Sequence, residues 1–394
     1  MKQAAGGTQF IIIGENIHCT RIVKREGIRG GVAPDGRPGV RFPDGEGGET
    51  WLPLPQSIIE SKEFSDSQRI KHVMAAVRQG LADGPEAAVA KAYVAWMAQR
   101  QIAGGADFLD LNVDEISPDV DGRLDAMKWI VAAVGPASSV PLAIDSSDAA
   151  VLEAGLDAID PAWAGGATPM VNSASTERPD VLDLVKERGT PVVLSCTGAS
   201  MPSGTQDRVE RADEIIGLAL EKGLPEDSLH VDPLVIPIGV DPMAGQAYLD
   251  AVSTIRERFG DDIHITGGVS NISFGLPARR IITDAFLDMC VEAGQDSGII
   301  DPVADVAAAL NPDRESRPYT LARAMLSGEA AFGRGFIEPF RARERSSAQQ
   351  REEAHPPMTA ELLKGGPVAA QIREAVAADV VDFVADHAYV PELA

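Results

Sequence analysis

The sequence predicts an α/β protein built as a (β/α)8 TIM barrel, and three observations point there. Short apolar runs alternate with longer helix-forming stretches from Phe10 onward, the pattern of repeated βα units around a parallel sheet. The runs number eight, at 10–13, 108–113, 141–144, 169–171, 191–194, 229–231, 264–266 and 298–300, and eight strands close such a barrel. Acid or amide side chains follow nearly every run, at the C-terminal face where parallel barrels carry their chemistry.

At 394 residues the chain is longer than a bare barrel, so one barrel with additions is the economical division. Residues 1–340 are assigned to the barrel, 341–358 to a charged linker and 359–394 to a C-terminal helical extension. Residues 24–64, dense in Gly and Pro, interrupt the rhythm between the first strand and its helix. A loop that long inside a compact domain is usually functional or disordered; in a barrel it would lie over the C-terminal face, and the alternative is a plain surface excursion. The pattern of 359–394 makes two short helices, too few for a core of their own; they are expected to dock on the barrel or on another subunit, and a homodimer is expected.

Hydrophobic residues make up 44% and charged residues 24% of the chain, which suits a large buried core. A formal net charge of -24 repels phosphate backbones and anionic lipid, so neither nucleic acid nor a membrane is an expected partner. Cys19, Cys196 and Cys290 stand far apart, without zinc-site or disulfide spacing, and no metal site is expected. The apolar run near the N-terminus is too short for a signal-peptide core. A cytoplasmic protein is the expectation.

Seven polar residues fall at strand ends: Glu15, Asn112, Asp145, Asn172, Asp232, Asn271 and Asp301. Any one of them could equally cap the following helix. Together, as a ring of carboxylates and amides with hardly any Lys, Arg or His nearby, they suit a ligand rich in hydrogen-bond donors and acceptors and poor in phosphate. A pterin ring is such a ligand, since its 2-amino and N3–H edge donates two hydrogen bonds to one carboxylate.

The segments IIIGENI, GADFLDLNV, PLAIDSS, MVNSAS, LHVDPLVIPIG and GVSNISFGLPARRIITDAFLDMCVEAGQDSGIIDP resemble, in order, the pterin-binding barrel of methyltetrahydrofolate:corrinoid methyltransferases. The same barrel forms the folate module of cobalamin-dependent methionine synthase, and dihydropteroate synthases share it. The resemblance implies methyl transfer between N5 of tetrahydrofolate and the cobalt of a corrinoid, in a demethylation pathway or in the loading of a corrinoid. It implies that Asp145, Asn172 and Asp232 hold the pterin and that Asn271 lies near N5, with Asn271 and Asp145 the catalytic pair. Gly268, Ser270 and Arg279 would shape the pocket, Arg279 toward the p-aminobenzoate-glutamate side, and Glu15 and Asn112 match rim positions of the first two strands. Tetrahydrofolate or methyltetrahydrofolate would be substrate, with cobalamin carried by a partner corrinoid protein. Asn16 and His18 stand where the family often has Arg and Asn, and SCTGASMPSG lacks a lysine that many relatives carry after the fifth strand. That missing lysine counts against the alternative of a pterin-condensing synthase; a non-catalytic pterin-binding subunit is the other alternative.

Overall fold

The eight apolar runs become eight parallel strands because both faces of each are covered, one by the helices outside and one by the barrel interior, so nearly every position can be apolar. In the computed structural model they are β1 (Gln9–His18), β2 (Phe108–Asn112), β3 (Leu142–Asp145), β4 (Met170–Ala174), β5 (Val192–Ser195), β6 (Leu229–Asp232), β7 (His264–Ile265) and β8 (Ser297–Ile300). The structure describes residues 2–3, 9–198, 200–329, 336 and 338. The expected linker 341–358 and helical extension 359–394 lie outside these residues.

Each strand pairs with the next from β1 to β7, and β8 returns to pair with β1 through Ser297↔Ile11 to Ile300↔Gly14. The seam between β7 and β8 is closed by a single parallel bridge, Gly268↔Ile299. Helices fill the connections: α1 (His72–Leu81) and α2 (Ala87–Gly104) after β1, α3 (Val120–Val134) after β2, and α4 (Ala149–Asp157) after β3. Then follow α5 (Asp180–Arg188), α6 (Gly204–Glu221), α7 (Ala244–Phe259), α8 (Arg279–Glu292) and α9 (Arg317–Leu326). The stop signals are local: α2 runs into Gly105 at φ 97 and α5 into Gly189 at φ 61, left-handed positions that glycine takes without a Cβ penalty. Among the described residues no helix is long and apolar enough to cross a membrane.

Side chains alternate across a strand, and that alternation builds the interior in layers. Ile13, Ala143, Met170 and Val193 form one buried layer, with Phe108 and Ile299 packed against it. The neighbours Ile12, Leu109, Leu142, Val171 and Val192 are buried on the opposite face, against the helices. Two residues further along each strand the same inward face carries Glu15, Asp110, Asp145, Asn172 and Ser195. A polar layer therefore sits directly on the apolar one.

Residues 24–64 are no structureless excursion. Ile22–Lys24 pairs antiparallel with Arg69–Lys71, and between them Gly30–Val32, Pro38–Pro43 and Glu49–Pro53 form a three-stranded antiparallel sheet. The glycines and prolines that suggested a loop are the turns and edges of this small sheet. Its Phe42 is buried against α2, with its ring centroid 5.0 Å from that of Tyr93 and 5.8 Å from that of Trp96. Arg29 lies over the Tyr93 and Trp96 rings. The sheet thus packs on the outer helix, while the Ile22–Lys24/Arg69–Lys71 ribbon, with Glu63 and Ser67 just before its second strand, reaches the C-terminal rim.

Candidate functional site

The polar layer lines a cavity of about 810 Å³ at the C-terminal end of the barrel. Of the residues expected from the sequence, Glu15, Asp145, Asn172, Asp232, Gly268, Ser270, Asn271 and Arg279 all line it. Asn112 does not. It stands beside Asp145 in the strand register, hydrogen-bonds to the Asp145 carboxyl, and accepts the Asp114 amide at 3.1 Å. Asp301 also stands apart: it accepts a 2.5 Å hydrogen bond from the Asn16 side chain and lines an adjoining cavity of about 260 Å³ with Glu15, Arg21, Ser270 and Arg279.

Capping and cavity roles divide among the rim residues: Asn112, Asp232 and Asp301 each accept the backbone amide two residues on, whereas Asp145 is relieved of that task. Asp148, three residues after Asp145, caps α4 through the Ala150 amide at 3.0 Å, which frees Asp145 for the cavity. The loop between them is clamped from below. Both Asp114 carboxyl oxygens are taken, by the Ser146 hydroxyl at 2.6 Å and by the Ser147 amide and hydroxyl at 2.8 Å.

Sequence reasoning missed Asp110. It sits mid-strand within FLDLN, two residues before the strand end, yet it faces inward with Asn112 and lines the cavity. Asn172 Nδ2 donates to Asp110 Oδ1 at 3.1 Å, so the amide leaves its own oxygen as an acceptor. The Asp110 and Asp145 carboxyls hydrogen-bond to each other. Burial raises both, Asp110 to about 6, and the mutual repulsion of two adjacent carboxylates raises Asp145 further. Both shifts run toward a proton shared by the two members, with Asp145 donating to Asp110.

Asp232 ends β6 with 9% of its surface exposed. Burial raises its carboxyl to about 6, against the Leu234 amide, donated to Asp232 Oδ1 at 2.8 Å, and the Arg208 charge, which both lower it. Gly267 leaves room for this arrangement: a Cβ there would lie 2.3 Å from the Tyr248 hydroxyl and 3.3 Å from Asp232 Oδ1. Asn271 lies on the one-turn 3-10 helix Val269–Ser273 that follows β7, exposed on the cavity wall.

The expectation of a rim nearly free of cations is corrected by the structure. Arg21, Arg69, Lys71 and Arg279 also line the cavity, with His18. Arg69 and Lys71 arrive on the ribbon, far in sequence from the strand ends where the rim residues were sought. Arg21 pairs with Glu15 at 2.8 Å. Even so, burial outweighs Arg21 and raises the Glu15 carboxyl. Arg279 donates to the Ser270 carbonyl at 2.9 Å and to the Ser273 hydroxyl at 3.2 Å, which pins the loop carrying Asn271. His18 is kept neutral, lowered to about 4 by burial and then by Arg21. Its Nδ1 accepts the Thr20 amide at 3.1 Å, so the proton sits on Nε2. Exposed Ile22, Met201 and Phe274 complete the lining.

Residues 82–301 match the sequence profile of the family described as pterin-binding enzymes. A methylcorrinoid:tetrahydrofolate methyltransferase of Eubacterium limosum is 30% identical over 267 residues, which is 64% of this chain and 92% of that protein. A methionine synthase of Mycobacterium tuberculosis is 32% identical over 220 residues, 52% of this chain but 18% of that protein. Among solved structures, a dihydropteroate synthase of Xanthomonas albilineans, in complex with indole-2-carboxylic acid and 6-chloroguanine, is 19% identical with a TM-score of 0.47, over 58% of this chain and 86% of that one.

Proposed function

The chain belongs to the family of pterin-binding enzymes, and on that premise we propose that it moves a methyl group between the cobalt of a corrinoid, carried by a partner protein, and N5 of tetrahydrofolate. The direction in the name of the Eubacterium limosum relative, from methylcorrinoid to tetrahydrofolate, is the one we assign. The observation that carries the reading is the polar layer itself: two carboxyls sharing a proton, a third carboxyl set apart from them, and two amides, all on one cavity.

The chemistry follows from what each group can donate or accept. Asp232, ionised, accepts both hydrogens of the pterin's 2-amino and N3–H edge, and two donors meeting one buried carboxylate are worth roughly twice a neutral hydrogen bond each. The oxygen of Asn172 accepts from the ring on the side away from Asp110. At N5 the lone pair forms the new bond to the methyl carbon, the electrons of the cobalt–carbon bond stay on the metal, and the N5 proton must leave. The Asp110–Asp145 pair, carrying one proton and one charge, accepts that proton in this direction and returns it in reverse. An asparagine is too weak an acid or base to take the proton at neutral pH, so Asn271 acts by hydrogen-bonding where charge develops at N5. The mouth, with Ile22, Met201 and Phe274 exposed on it, faces the corrinoid partner.

The test is single-turnover methyl transfer between tetrahydrofolate and methylcob(III)alamin, run beside equilibrium binding of the same pterin. Asn271→Ala is expected to lower the transfer rate on the order of a hundredfold or more while changing pterin affinity much less. Equal losses in rate and affinity would make Asn271 an ordinary binding residue. A wild-type protein that binds the pterin yet transfers nothing, with its corrinoid partner present, would overturn the enzymatic reading.

A further inference from the structure

Arg208 is the largest fully buried side chain described, 1% exposed, and it does not line the cavity. It rises from α6, where the spacing of buried Val209, Ala212, Ile215 and Ile216 turns an otherwise apolar face inward. Its hydrogen bonds among the described residues go to backbone carbonyls. Nη1 donates to Gly204 O at 2.7 Å, and Nε and Nη2 both donate to Leu234 O at 3.3 Å. A guanidinium taken out of water is costly; Asp207 and Asp241 lie near enough to favour its charge, yet none of these hydrogen bonds goes to a carboxylate, and an apolar side chain on α6 would carry no such cost. The structure around Leu234 supplies a reason for the arginine.

Leu234 is a non-glycine residue at φ 67, a left-handed conformation that a branched side chain enters only when the surroundings hold it there. Both of its peptide groups are held. Its amide donates to Asp232 Oδ1 at 2.8 Å and its carbonyl receives the Arg208 fork. The three residues 232–234 thus form one turn, pinned by Arg208 at one end and by the Asp232 carboxylate at the other. Leu234 and Asp232 both face the cavity.

We propose that Arg208 is a positioning residue for ligand recognition: it locks the Asp232–Leu234 turn so that the Asp232 carboxylate meets the pterin's donor edge already oriented and charged. This rests on the pterin reading above and adds to it a residue outside the cavity, from an element that no part of that reading uses. The Arg208 charge also favours the ionised form of Asp232. The other titratable groups beside Asp232 are Tyr248 from α7 and Cys196 from the end of β5, and burial keeps both neutral near pH 7. Burial raises the Asp232 carboxyl, and the Leu234 amide and then the Arg208 charge act against it, so the arginine works on the carboxyl both directly and through the turn it holds.

Two variants separate geometry from charge. Arg208→Lys keeps the charge and loses the fork; Arg208→Gln keeps a donor and loses the charge. Binding of tetrahydrofolate is measured by calorimetry from pH 5 to pH 8, and the Asp232 carboxyl is titrated by 13C NMR of the free protein, its signal identified by its absence in Asp232→Asn. In Arg208→Gln the Asp232 titration is expected to move up by about one pH unit and the pH midpoint of pterin binding to move with it. In Arg208→Lys the midpoint is expected to stay and affinity to fall about tenfold at every pH. A folded Arg208→Gln protein with an unmoved Asp232 titration overturns the proposal, and so does wild-type affinity in both variants. Should Arg208→Gln fail to fold, Arg208→Lys decides alone: unchanged affinity overturns the proposal, and a uniform loss with a melting temperature near that of wild type supports it. A wild-type protein that binds no tetrahydrofolate would sink the pterin reading instead, and the Asp232 titration then decides whether Arg208 controls that carboxyl.

Discussion

At the scale of single residues, the site is organised by where protons can rest. Besides Glu15, which pairs with Arg21, the carboxyls at positions 110, 145 and 232 share one cavity, and of these three only Asp110 and Asp145 touch. Asp110 and Asp145 hold a proton between them, while Asp232, beside the Arg208 charge and the Leu234 amide, is the one set to accept. Separating a proton-holding pair from a proton-accepting carboxylate is what lets one small cavity both grip a donor edge and exchange a proton at N5. Asp110→Asn should expose the division of labour. An amide at position 110 cannot share a proton with Asp145, so the proposed transfer should slow on the order of a hundredfold, with pterin affinity changed only a few-fold. The rate–pH profile should also lose the inflection that belongs to the pair. A mutant with the wild-type rate and profile would remove the pair from the mechanism. Asp110 was legible in the sequence, though the rule of looking only at strand ends hid it. Period-two alternation from Phe108, which packs on the interior layer, puts residue 110 on the inner face before residue 112 is reached. Arg208 was not legible, since nothing in a helix's own pattern tells which carbonyl its one inward arginine will meet.

At the scale of elements, the barrel and its additions divide the work. The eight strands were readable because each is a short apolar run bounded by polar residues, and parallel pairing buries both faces. The chain between β1 and α1 was not, because a small antiparallel sheet with short strands and tight turns has the same Gly- and Pro-rich composition as a loop. Its buried apolar side chains include Val40, Phe42 and Leu52, and the largest of them is the ring of Phe42. Phe42 is buried against Tyr93 and Trp96 of α2, on the barrel's outside, away from the cavity that the ribbon at residues 22–24 and 69–71 approaches. Phe42→Ala should therefore cost about 3–5 kcal/mol of stability, as large-to-small changes of buried aromatics do, read from chemical denaturation. Pterin affinity in the still-folded fraction should stay within about twofold. A large loss of affinity at full folding would mean that the sheet transmits order to the cavity through the ribbon that carries Arg69 and Lys71.

At the scale of the whole molecule, the cavity carries carboxyls that folding alone does not satisfy. Glu15, Asp110, Asp145 and Asp232 are all raised, chiefly by burial, with Asp110 and Asp232 at about 6, whereas a carboxyl in the unfolded chain titrates near 4. For Asp110 and Asp232 the folded state thus binds more protons than the unfolded chain between roughly pH 4 and pH 6, so the stability these two contribute is complete below that window and is lost as pH rises through it. Exposed acids held low by arginine or lysine neighbours, such as Asp35 and Asp207, act in the opposite sense, so the raw pH–stability curve mixes the two. The difference between wild type and Asp232→Asn isolates one site. With that carboxyl removed, the mutant should gain on wild type as pH rises, at a slope approaching about 1.4 kcal/mol per pH unit across the window, and the gain should level off above it. Urea denaturation at half-unit pH steps reads this difference directly. A difference that stays flat from pH 4 to pH 7 would show that Asp232 keeps an ordinary carboxylate's affinity for protons in the fold, and a mutant that loses ground with rising pH would mean that Arg208 and the Leu234 amide outweigh burial there. The same imbalance makes the ligand a stabiliser: a pterin that brings two donors to Asp232 returns part of what burial costs that carboxyl, so its presence should raise the melting temperature most above pH 6, where the carboxyl is charged and the Leu234 amide and Arg208 offset burial only in part.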